Sequence, residues 1–363
     1  MNTTAWGALV AGLVVLSLGA DLLVRGAAKL AVRFGISRLV VGLTIVAYGT
    51  SAPEFSVSVG AALKGSGEIA IGNVVGSNIA NILIALGLSA LIAPVGVHLQ
   101  VIRQELPVLL GVSVLFAVTA LDGTLSAFDG ALLFALIIGY TIFLIRQSRN
   151  AGKDAEAEFA EEIPKSHWDD PLPVQIALIV GGLALLVWGS DLAVSGAVAI
   201  AKSLGISEVV VGLTVVAVGT SLPEIATSLM AVYKGERDMA VGNVIGSNVF
   251  NLLAVGGASA LAAIPLGGIT VPVSVTTTDL WVMLGATLLL LPVVLSGYSV
   301  NRQEGALLVA LYIAYLTYLV LDALHHPALA AFRTFALGFA LPLLVAGVLL
   351  RYLTHITRDT PPS

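Results

Sequence analysis

The chain has 363 residues, of which 58% are hydrophobic and 11% are charged; its net charge is −5 and its mean hydropathy +1.00. Soluble domains carry about 25% charged residues, so this composition excludes a soluble globule. Apolar runs of roughly 20 residues suit membrane-spanning helices, whereas outer-membrane strands would alternate over about ten residues. The sequence therefore predicts an all-α integral membrane protein.

Eleven apolar segments follow one another along the chain. They are predicted at 5–24, 39–62, 69–93, 105–121, 128–146, 174–200, 209–232, 240–264, 278–296, 304–322 and 330–352. No basic stretch precedes the first, which argues against a cleaved signal peptide. If the loops alternate sides, all of the 17 Lys and Arg residues except Lys64, Lys202 and Arg333 fall on one side. This asymmetry predicts an N-terminus outside and a C-terminus in the cytoplasm.

One long polar segment, residues 147–173, separates the fifth and sixth spans and carries much of the acidic excess. Its composition favours a solvated tether, with a regulatory or ion-sensing segment as the alternative. The ligand spacing and central Gly of an EF-hand are missing from it. The chain contains no cysteine, which excludes disulfides and thiolate metal sites.

The chain contains an internal duplication. A shift of 170 residues lays "VVGLTIVAYGTSAPE" over "VVGLTVVAVGTSLPE" and "GNVVGSNIAN" over "GNVIGSNVFN". Apolar bias alone would not match these polar residues in order. Each unit contains five spans, and an odd number predicts inverted topology, as in secondary transporters that bind substrate near the bilayer midplane.

The predicted organisation has four parts. The first repeat occupies 1–146, the acidic linker 147–173 and the second repeat 174–325, and 326–363 adds an eleventh helix and a tail.

Polar residues form one stripe on each of four repeated helices. A glutamate lies in two of these stripes, Glu54 with Thr50 and Ser51 in the first unit and Glu224 in the second. An ionised carboxylate at mid-membrane costs roughly 2.5–3.5 kcal/mol even on translocon scales. The two glutamates are therefore expected to share a protein interior or a water-filled cavity.

Each glutamate follows a proline, Pro53 or Pro223, which frees the backbone carbonyl of Gly49 or Gly219. Carboxylates, carbonyls and hydroxyls form an all-oxygen set that suits Ca²⁺, Na⁺ or Mg²⁺ and argues against Zn²⁺ or Cu²⁺. Two carboxylates would balance one Ca²⁺ or two Na⁺, which gives a physical basis for exchange. A proline or glycine in a membrane helix also serves packing, and for Asn78 and Asn248 packing and ligation both remain open.

The doubled motifs "GTSAPE…GNVVGSNIANI" and "GTSLPE…GNVIGSNVFNL" resemble the α1 and α2 repeats of the calcium/cation antiporter superfamily, specifically its prokaryotic sodium/calcium exchangers. The resemblance covers the first ten spans. It implies a core of helices 2, 3, 7 and 8, across which helices 1 and 6 slide to alternate access. It also implies a multi-pass protein of the prokaryotic cytoplasmic membrane that extrudes Ca²⁺ with the sodium gradient.

The resemblance also implies the ligands. Glu54 and Glu224, with the backbone carbonyls of Thr50 and Thr220, would bind Ca²⁺. Sodium would be bound by Ala47, Ser51, Ser77, Ala217, Ser221 and Ser247, and Asn81 and Asn251 would complete the centre. Some family members have Asp at the position of Asn251, and that acid is associated with potassium transport; asparagine here argues against potassium dependence.

Other functions remain as alternatives. The nearest is a proton-coupled antiporter of Ca²⁺ or another divalent cation, and a more distant one is an uncoupled cation channel. No HExxH motif or partnered nucleophile is present, so an enzyme is not expected. The predicted partners are Ca²⁺ and Na⁺, with H⁺ as the alternative coupling ion, and the lipid bilayer. We expect no cofactor and no nucleic acid, and the sequence leaves the oligomeric state open.

Overall fold

The computed structural model describes residues 3–159, 168–206, 208–211, 214–215, 217–295, 297–336, 338 and 347. Almost all of this chain is helical, and its strands are two residues long. The core is apolar, but buried Glu, Ser, Thr and Asn side chains lie within it. The prediction of an all-α membrane protein is confirmed.

The helices of the first half follow the predicted spans. They are α1 (Thr3–Phe34), α2 (Arg38–Val41), a π-helix (Gly42–Val46), α3 (Ala47–Thr50), α4 (Ala52–Leu63), α5 (Gly67–Ala80), a π-helix (Asn81–Leu86), α6 (Gly87–Ile92), a π-helix (Val101–Glu105), α7 (Leu106–Ala120) and α8 (Ala127–Phe159). Helix α1 is longer than predicted, and α8 continues well into the predicted linker.

The second half repeats this order. Its helices are α9 (Leu172–Ser203), α10 (Glu208–Val211), α11 (Ala217–Gly219), α12 (Leu222–Tyr233), α13 (Arg237–Phe250), a π-helix (Asn251–Val255), α14 (Gly256–Ala262), a 3₁₀ turn (Ile264–Leu266), a π-helix (Val275–Asp279), α15 (Leu280–Leu295), α16 (Arg302–Ala323) and α17 (Ala328–Phe335). The π-helices recur at equivalent places, at Asn81 and Asn251.

Eight helical segments of the described chain are long and apolar enough to span a membrane. The predicted spans 39–62 and 209–232 are not among them because each is divided into shorter helices. The predicted eleventh span, 330–352, begins within α17, and most of it lies outside the described residues.

Two long helices, α1 and α9, pack along each other through glycines that recur every seven residues: Gly12, Gly19 and Gly26 on α1, and Gly182, Gly189 and Gly196 on α9. A Cβ atom added at Gly19 would lie 2.8 Å from the backbone N of Leu186, and one at Gly26 would lie 2.9 Å from the carbonyl of Gln175. Rising numbers on α1 therefore meet falling numbers on α9, so the helices run antiparallel. We call this contact the glycine seam. Two inverted units would produce this arrangement of equivalent helices, although the inversion itself stays a prediction.

Other contacts between the two halves occur in matched pairs. Gly130 of α8 packs against Gly257 of α14, and Gly305 of α16 packs against Gly87 of α6. Two short antiparallel sheets follow the same pattern: β1 (Val95–Gly96) pairs with β4 (Ser299–Val300), and β2 (Thr124–Leu125) pairs with β3 (Ile269–Thr270). The two halves therefore contact each other through equivalent elements.

The end of the predicted linker is packed against α1. Asp169 is buried and its Oδ2 lies 2.6 Å from Arg25 Nε, while its Oδ1 lies 3.3 Å from Lys29 Nζ. The Arg25 guanidinium also stacks 4.8 Å from the centre of the Trp168 ring. Burial disfavours the charged form of Asp169, but the hydrogen bonds from Arg25 and Lys29 outweigh burial and lower its pKa. This end of the segment is therefore docked, whereas a wholly solvated tether was expected.

The glycine seam leads to a stability prediction. An alanine at Gly189 would place its Cβ 2.7 Å from the Leu16 backbone N, whereas nothing lies within 4 Å of a Cβ at Gly181. Backbone atoms cannot move aside cheaply, so we expect Gly189→Ala to cost about 1–3 kcal/mol of stability. The measurement is the unfolding temperature in detergent, with Gly181→Ala as the matched control. Equal unfolding temperatures for the two variants would contradict the prediction.

Candidate functional site

In each unit, the helix that carries the GTSAPE or GTSLPE motif is interrupted beside its glutamate. Helix α3 ends at Thr50, Ser51 leaves helical geometry with φ −81° and ψ 8°, and α4 begins at Ala52. The second unit has the same break at Ser221, with φ −86° and ψ 4°. The proline lies in the first turn of the following helix, where its missing N–H is tolerated. The break therefore points Ser51 and Ser221 into the interior.

The two glutamates are brought together by hydrogen bonds that cross between the units. Ser51 Oγ donates to Glu224 Oε1 over 2.8 Å, and Ser221 Oγ donates to Glu54 Oε1 over 3.2 Å. Both glutamates and both serines are 0% exposed. The prediction that Glu54 and Glu224 share one protein interior agrees with this geometry, and each carboxylate is held by the unit to which it does not belong.

Asn73 and Asn243 position these carboxylates. Asn73 Nδ2 donates to the Glu54 backbone carbonyl at 3.2 Å and to Ser58 Oγ at 2.9 Å. Asn243 makes the equivalent bonds to the Glu224 carbonyl and to Ser228 Oγ at the same distances.

The threonines of the two repeat motifs complete this arrangement across the units. Thr220 Oγ1 donates to Asn73 Oδ1 at 3.1 Å, and Thr50 Oγ1 donates to Asn243 Oδ1 at 3.2 Å. Both asparagines belong to the repeated motifs GNVVGSN and GNVIGSN, but only the fold shows that their amides connect the two halves.

Several buried oxygen atoms lie at this centre without a hydrogen-bond partner among the described residues. They include Glu54 Oε2, Glu224 Oε2, Ser77 Oγ, Asn81 Oδ1 and Asn251 Oδ1. Leaving a buried acceptor unmatched costs about 1–3 kcal/mol, and more when it is charged. Oxygen donors of this kind are the ligands of hard cations such as Ca²⁺ and Na⁺. The donor set therefore fits a cation as substrate.

The remaining predicted residues surround this centre. Ser247 Oγ donates to the Ala47 carbonyl at 3.4 Å, which brings two predicted sodium residues of opposite units into contact. Ala217 begins α11. Asn81 Nδ2 donates to Asn248 Oδ1 at 3.1 Å, and Asn248 Nδ2 donates to the Asn78 carbonyl at 3.3 Å. These hydrogen bonds give Asn78 and Asn248 a packing role, which is one of the two roles that the sequence left open for them.

A model of the family described as sodium/calcium exchanger protein matches residues 4–146 and 174–321 of this chain. The chain belongs to the sodium/calcium exchanger family. Membership makes it a membrane transporter of cations and not an enzyme, as predicted. The two matched segments leave out the acidic segment between the halves and the C-terminal part of the chain.

The similar proteins include an archaeal and a bacterial protein that match most of this chain. The sodium/calcium exchanger MaX1 of Methanosarcina acetivorans is 32% identical over 355 residues, covering 88% of this chain and 99% of MaX1. The inner membrane protein YrbG of Escherichia coli is 38% identical over 256 residues, covering 70% of this chain and 78% of YrbG. A solved structure of the sodium-calcium exchanger NCX_Mj, soaked with Na⁺ and Sr²⁺, has a TM-score of 0.72 and 33% identity, covering 87% of this chain and 99% of that one.

One carbonyl in this exchanger-family site has a partner that sequence reasoning missed. Ser190 Oγ on α9 donates to the Gly219 carbonyl over 2.6 Å. Pro223 frees this carbonyl, which was expected to be available to a cation. The equivalent of Ser190 in the first unit is Ala20, which has no hydroxyl to offer Gly49. Aligning the two units would have revealed this serine, and it makes the units chemically different.

Removing this hydroxyl should destabilise the protein. We expect Ser190→Ala to lower stability by about 1–3 kcal/mol because the buried Gly219 carbonyl loses its donor. The measurement is thermal unfolding in detergent. Ser203→Ala is the matched control, since Ser203 Oγ bonds the Ile200 carbonyl in an exposed turn. An unfolding temperature as high as that of the control would show that the carbonyl finds another partner.

Proposed function

We propose that the chain is a secondary active antiporter that exchanges Na⁺ for Ca²⁺ across the cytoplasmic membrane by alternating access. Calcium binds between Glu54 and Glu224. The observation that carries the proposal is the crossed pair of hydrogen bonds by which each unit's serine holds the other unit's fully buried carboxylate. A site divided in this way is altered whenever the two units move relative to each other.

The proposed ligands divide by charge and type. The two carboxylates and the backbone carbonyls of Thr50 and Thr220 coordinate Ca²⁺, whose preference is for six to eight oxygens. Sodium uses the neutral oxygens of Ala47, Ser51, Ser77, Ala217, Ser221 and Ser247, with Asn81 and Asn251 completing the centre. Since the carboxylates total −2, they balance one Ca²⁺ or two Na⁺, and the ions compete for the same charge.

The fold is proposed to work as two inverted units. Residues 1–146 and 174–325 form the units, 147–173 joins them, and 326–363 adds a helix outside the exchange machinery. The N-terminus lies outside and the C-terminus in the cytoplasm, because Lys and Arg concentrate on one side. The ion pairs of Arg25 and Lys29 with Asp169 and of Arg38 with Glu236 support this assignment, since they gather at loops on the proposed cytoplasmic side.

The named relatives support sodium coupling. MaX1 is a sodium/calcium exchanger by name, and NCX_Mj is a sodium-calcium exchanger whose structures were obtained with Na⁺, Ca²⁺ and Sr²⁺. The two matches cover 88% and 87% of this chain. Proton coupling on the same scaffold is the alternative, in which Glu54 and Glu224 release protons when Ca²⁺ binds.

Transport tests the coupling and the paired ligands together. In proteoliposomes loaded with Na⁺ and diluted into Na⁺-free buffer, we expect ⁴⁵Ca²⁺ uptake that collapses without the sodium gradient. Glu54→Gln and Glu224→Gln should each reduce uptake at least about a hundredfold, because a buried charge that binds a divalent cation contributes several kcal/mol.

The control is Glu68→Gln, an exposed acid in the first turn of α5, which should transport normally. Uptake that is driven by a pH gradient and does not depend on Na⁺ would indicate a proton-coupled antiporter instead. Uptake that persists in both glutamine variants would overturn the site, and flux without any counter-ion would indicate a channel.

The serine at the helix break gives a finer test. Ser51→Ala removes both the hydrogen bond to Glu224 and a proposed sodium ligand, and we expect the Na⁺ concentration for half-maximal exchange to rise about tenfold. Ser56→Ala on the uncovered face of α4 is the matched control. A loss of Ca²⁺ affinity with unchanged Na⁺ dependence would assign Ser51 to the calcium site instead.

A further inference from the structure

An ion pair joins the end of α12 to α1. Lys234 Nζ lies 2.6 Å from Asp21 Oδ1 and also donates to the Asp21 backbone carbonyl at 3.1 Å. Lys234 is the C-cap of α12 and lies nearly three turns after Glu224. The pair therefore connects the element that holds a site carboxylate to one of the two helices of the glycine seam. We call it the α1–α12 pair.

The duplication supplies the same two residues a second time. A shift of 170 residues aligns Asp21 with Asp191 on α9. It also aligns Lys234 with Lys64 at the end of α4. Both side chains belong to exposed residues. In the part of the chain that the structure describes, neither Lys64 nor Asp191 takes part in an ion pair or a hydrogen bond through its side chain. We call these residues the α4–α9 pair.

The packing around the two pairs differs in the same direction. Helix α1 packs against α12, whereas α9 packs against α3, α11 and α12 and leaves α4 largely uncovered. Thr227 on α12 is accordingly 0% exposed, while its equivalent on α4, Val57, is 42% exposed. Helix α12 is therefore covered on a face that its equivalent, α4, leaves exposed.

We propose that the α1–α12 pair and the α4–α9 pair are reciprocal ion-pair locks, one for each access state. The structure has the α1–α12 lock formed and the α4–α9 lock open. In the opposite state Lys64 binds Asp191 and Lys234 releases Asp21. The inference rests on the proposed function in one respect, namely that the transporter alternates between two such states.

The glycine seam explains why the locks alternate. The backbones of α1 and α9 touch at Gly19, Gly182 and Gly189, so the two helices move as one body. The body carries one aspartate of each lock, while Lys64 and Lys234 sit on the two glutamate helices. A displacement that brings Asp191 to Lys64 takes Asp21 away from Lys234.

The strength of the locks suits this role. A partly exposed ion pair contributes little and changes a population ratio by no more than about fivefold. The side chains of Lys234 and Asp21 are 26% and 40% exposed, so they fall in this class. Two weak and equivalent locks bias a two-state equilibrium without trapping it, which exchange in both directions requires.

The nearby charges do not duplicate the locks. Arg25, one turn after Asp21, is paired with Asp169. Arg38 is paired with Glu236, and the equivalents of these two residues are Glu208 and Ser66, which cannot form the same bridge. Among these nearby pairs, only the lysine and aspartate of the locks recur in both units.

Distances between spin labels in the full chain test the proposal. The chain has no cysteine, so reporter pairs are introduced without background at exposed equivalent positions: Leu18→Cys with Tyr233→Cys for one lock, and Leu63→Cys with Trp188→Cys for the other. We expect a short distance for the first pair and a longer one for the second.

Removing one lock should then shift both distances in opposite directions. Lys234→Gln should favour the opposite state, lengthening the first distance and shortening the second, with a change of about two- to fivefold in the population ratio. Lys64→Gln should shift the ratio the other way. Asp21→Asn and Asp191→Asn should reproduce the effects of their partners, and Arg103→Gln and Glu68→Gln are the charge-removing controls.

The outcomes separate this inference from the proposed function. Opposite shifts for Lys64→Gln and Lys234→Gln support the locks, whatever ion drives uptake. Equal, absent or same-direction shifts overturn them, even if sodium-driven Ca²⁺ uptake is found. A variant with the charges exchanged, Lys234→Asp with Asp21→Lys, should restore the original population ratio. If it does not, Lys234 acts only through packing, and the result contradicts the locks.

Discussion

The structure depends on holding two carboxylates inside a membrane protein with no exposure to solvent. A buried charge is stabilised only by hydrogen bonds and by opposite charge. Ser51 and Ser221 supply one hydrogen bond to each carboxylate, and Asn73 and Asn243 anchor the backbone on which the glutamates are carried. The second carboxylate oxygens lack a protein partner among the described residues, which is why a cation is the natural remaining ligand.

The crossed hydrogen bonds require that two units meet closely, and small residues permit this. Gly246 and Gly242 of α13 lie against the backbone of Leu43 and Leu39, and the glycine seam joins α1 to α9. Prolines then break α3 from α4 and α11 from α12, which turns serines inward. Close backbone approach and broken helices are tolerated at this depth because protein, not lipid, surrounds them.

Equivalent sequences occupy different environments in the two halves. Ser190 bonds the Gly219 carbonyl, while Ala20 leaves the equivalent carbonyl without that donor. Asp21 binds Lys234, while Asp191 and Lys64 remain apart. The first difference is a difference in amino acid, so it is present in every conformation of the protein. The second involves identical residues, so it arises from the packing of the two halves, and we propose that it reverses in a second access state.

The sequence by itself determined the fold class and most of the long apolar helices, and it singled out the residues of the candidate site. Hydropathy is a sum over neighbours along the chain, and a duplicated motif is visible without coordinates, so Glu54, Glu224 and their serines and asparagines could be found in advance. The crossed bonds, the partner of Gly219 and the antiparallel glycine seam were decided only by the tertiary structure. These contacts join residues more than a hundred positions apart, except Ser190 with Gly219, and their geometry depends on how whole helices pack, which local sequence does not encode.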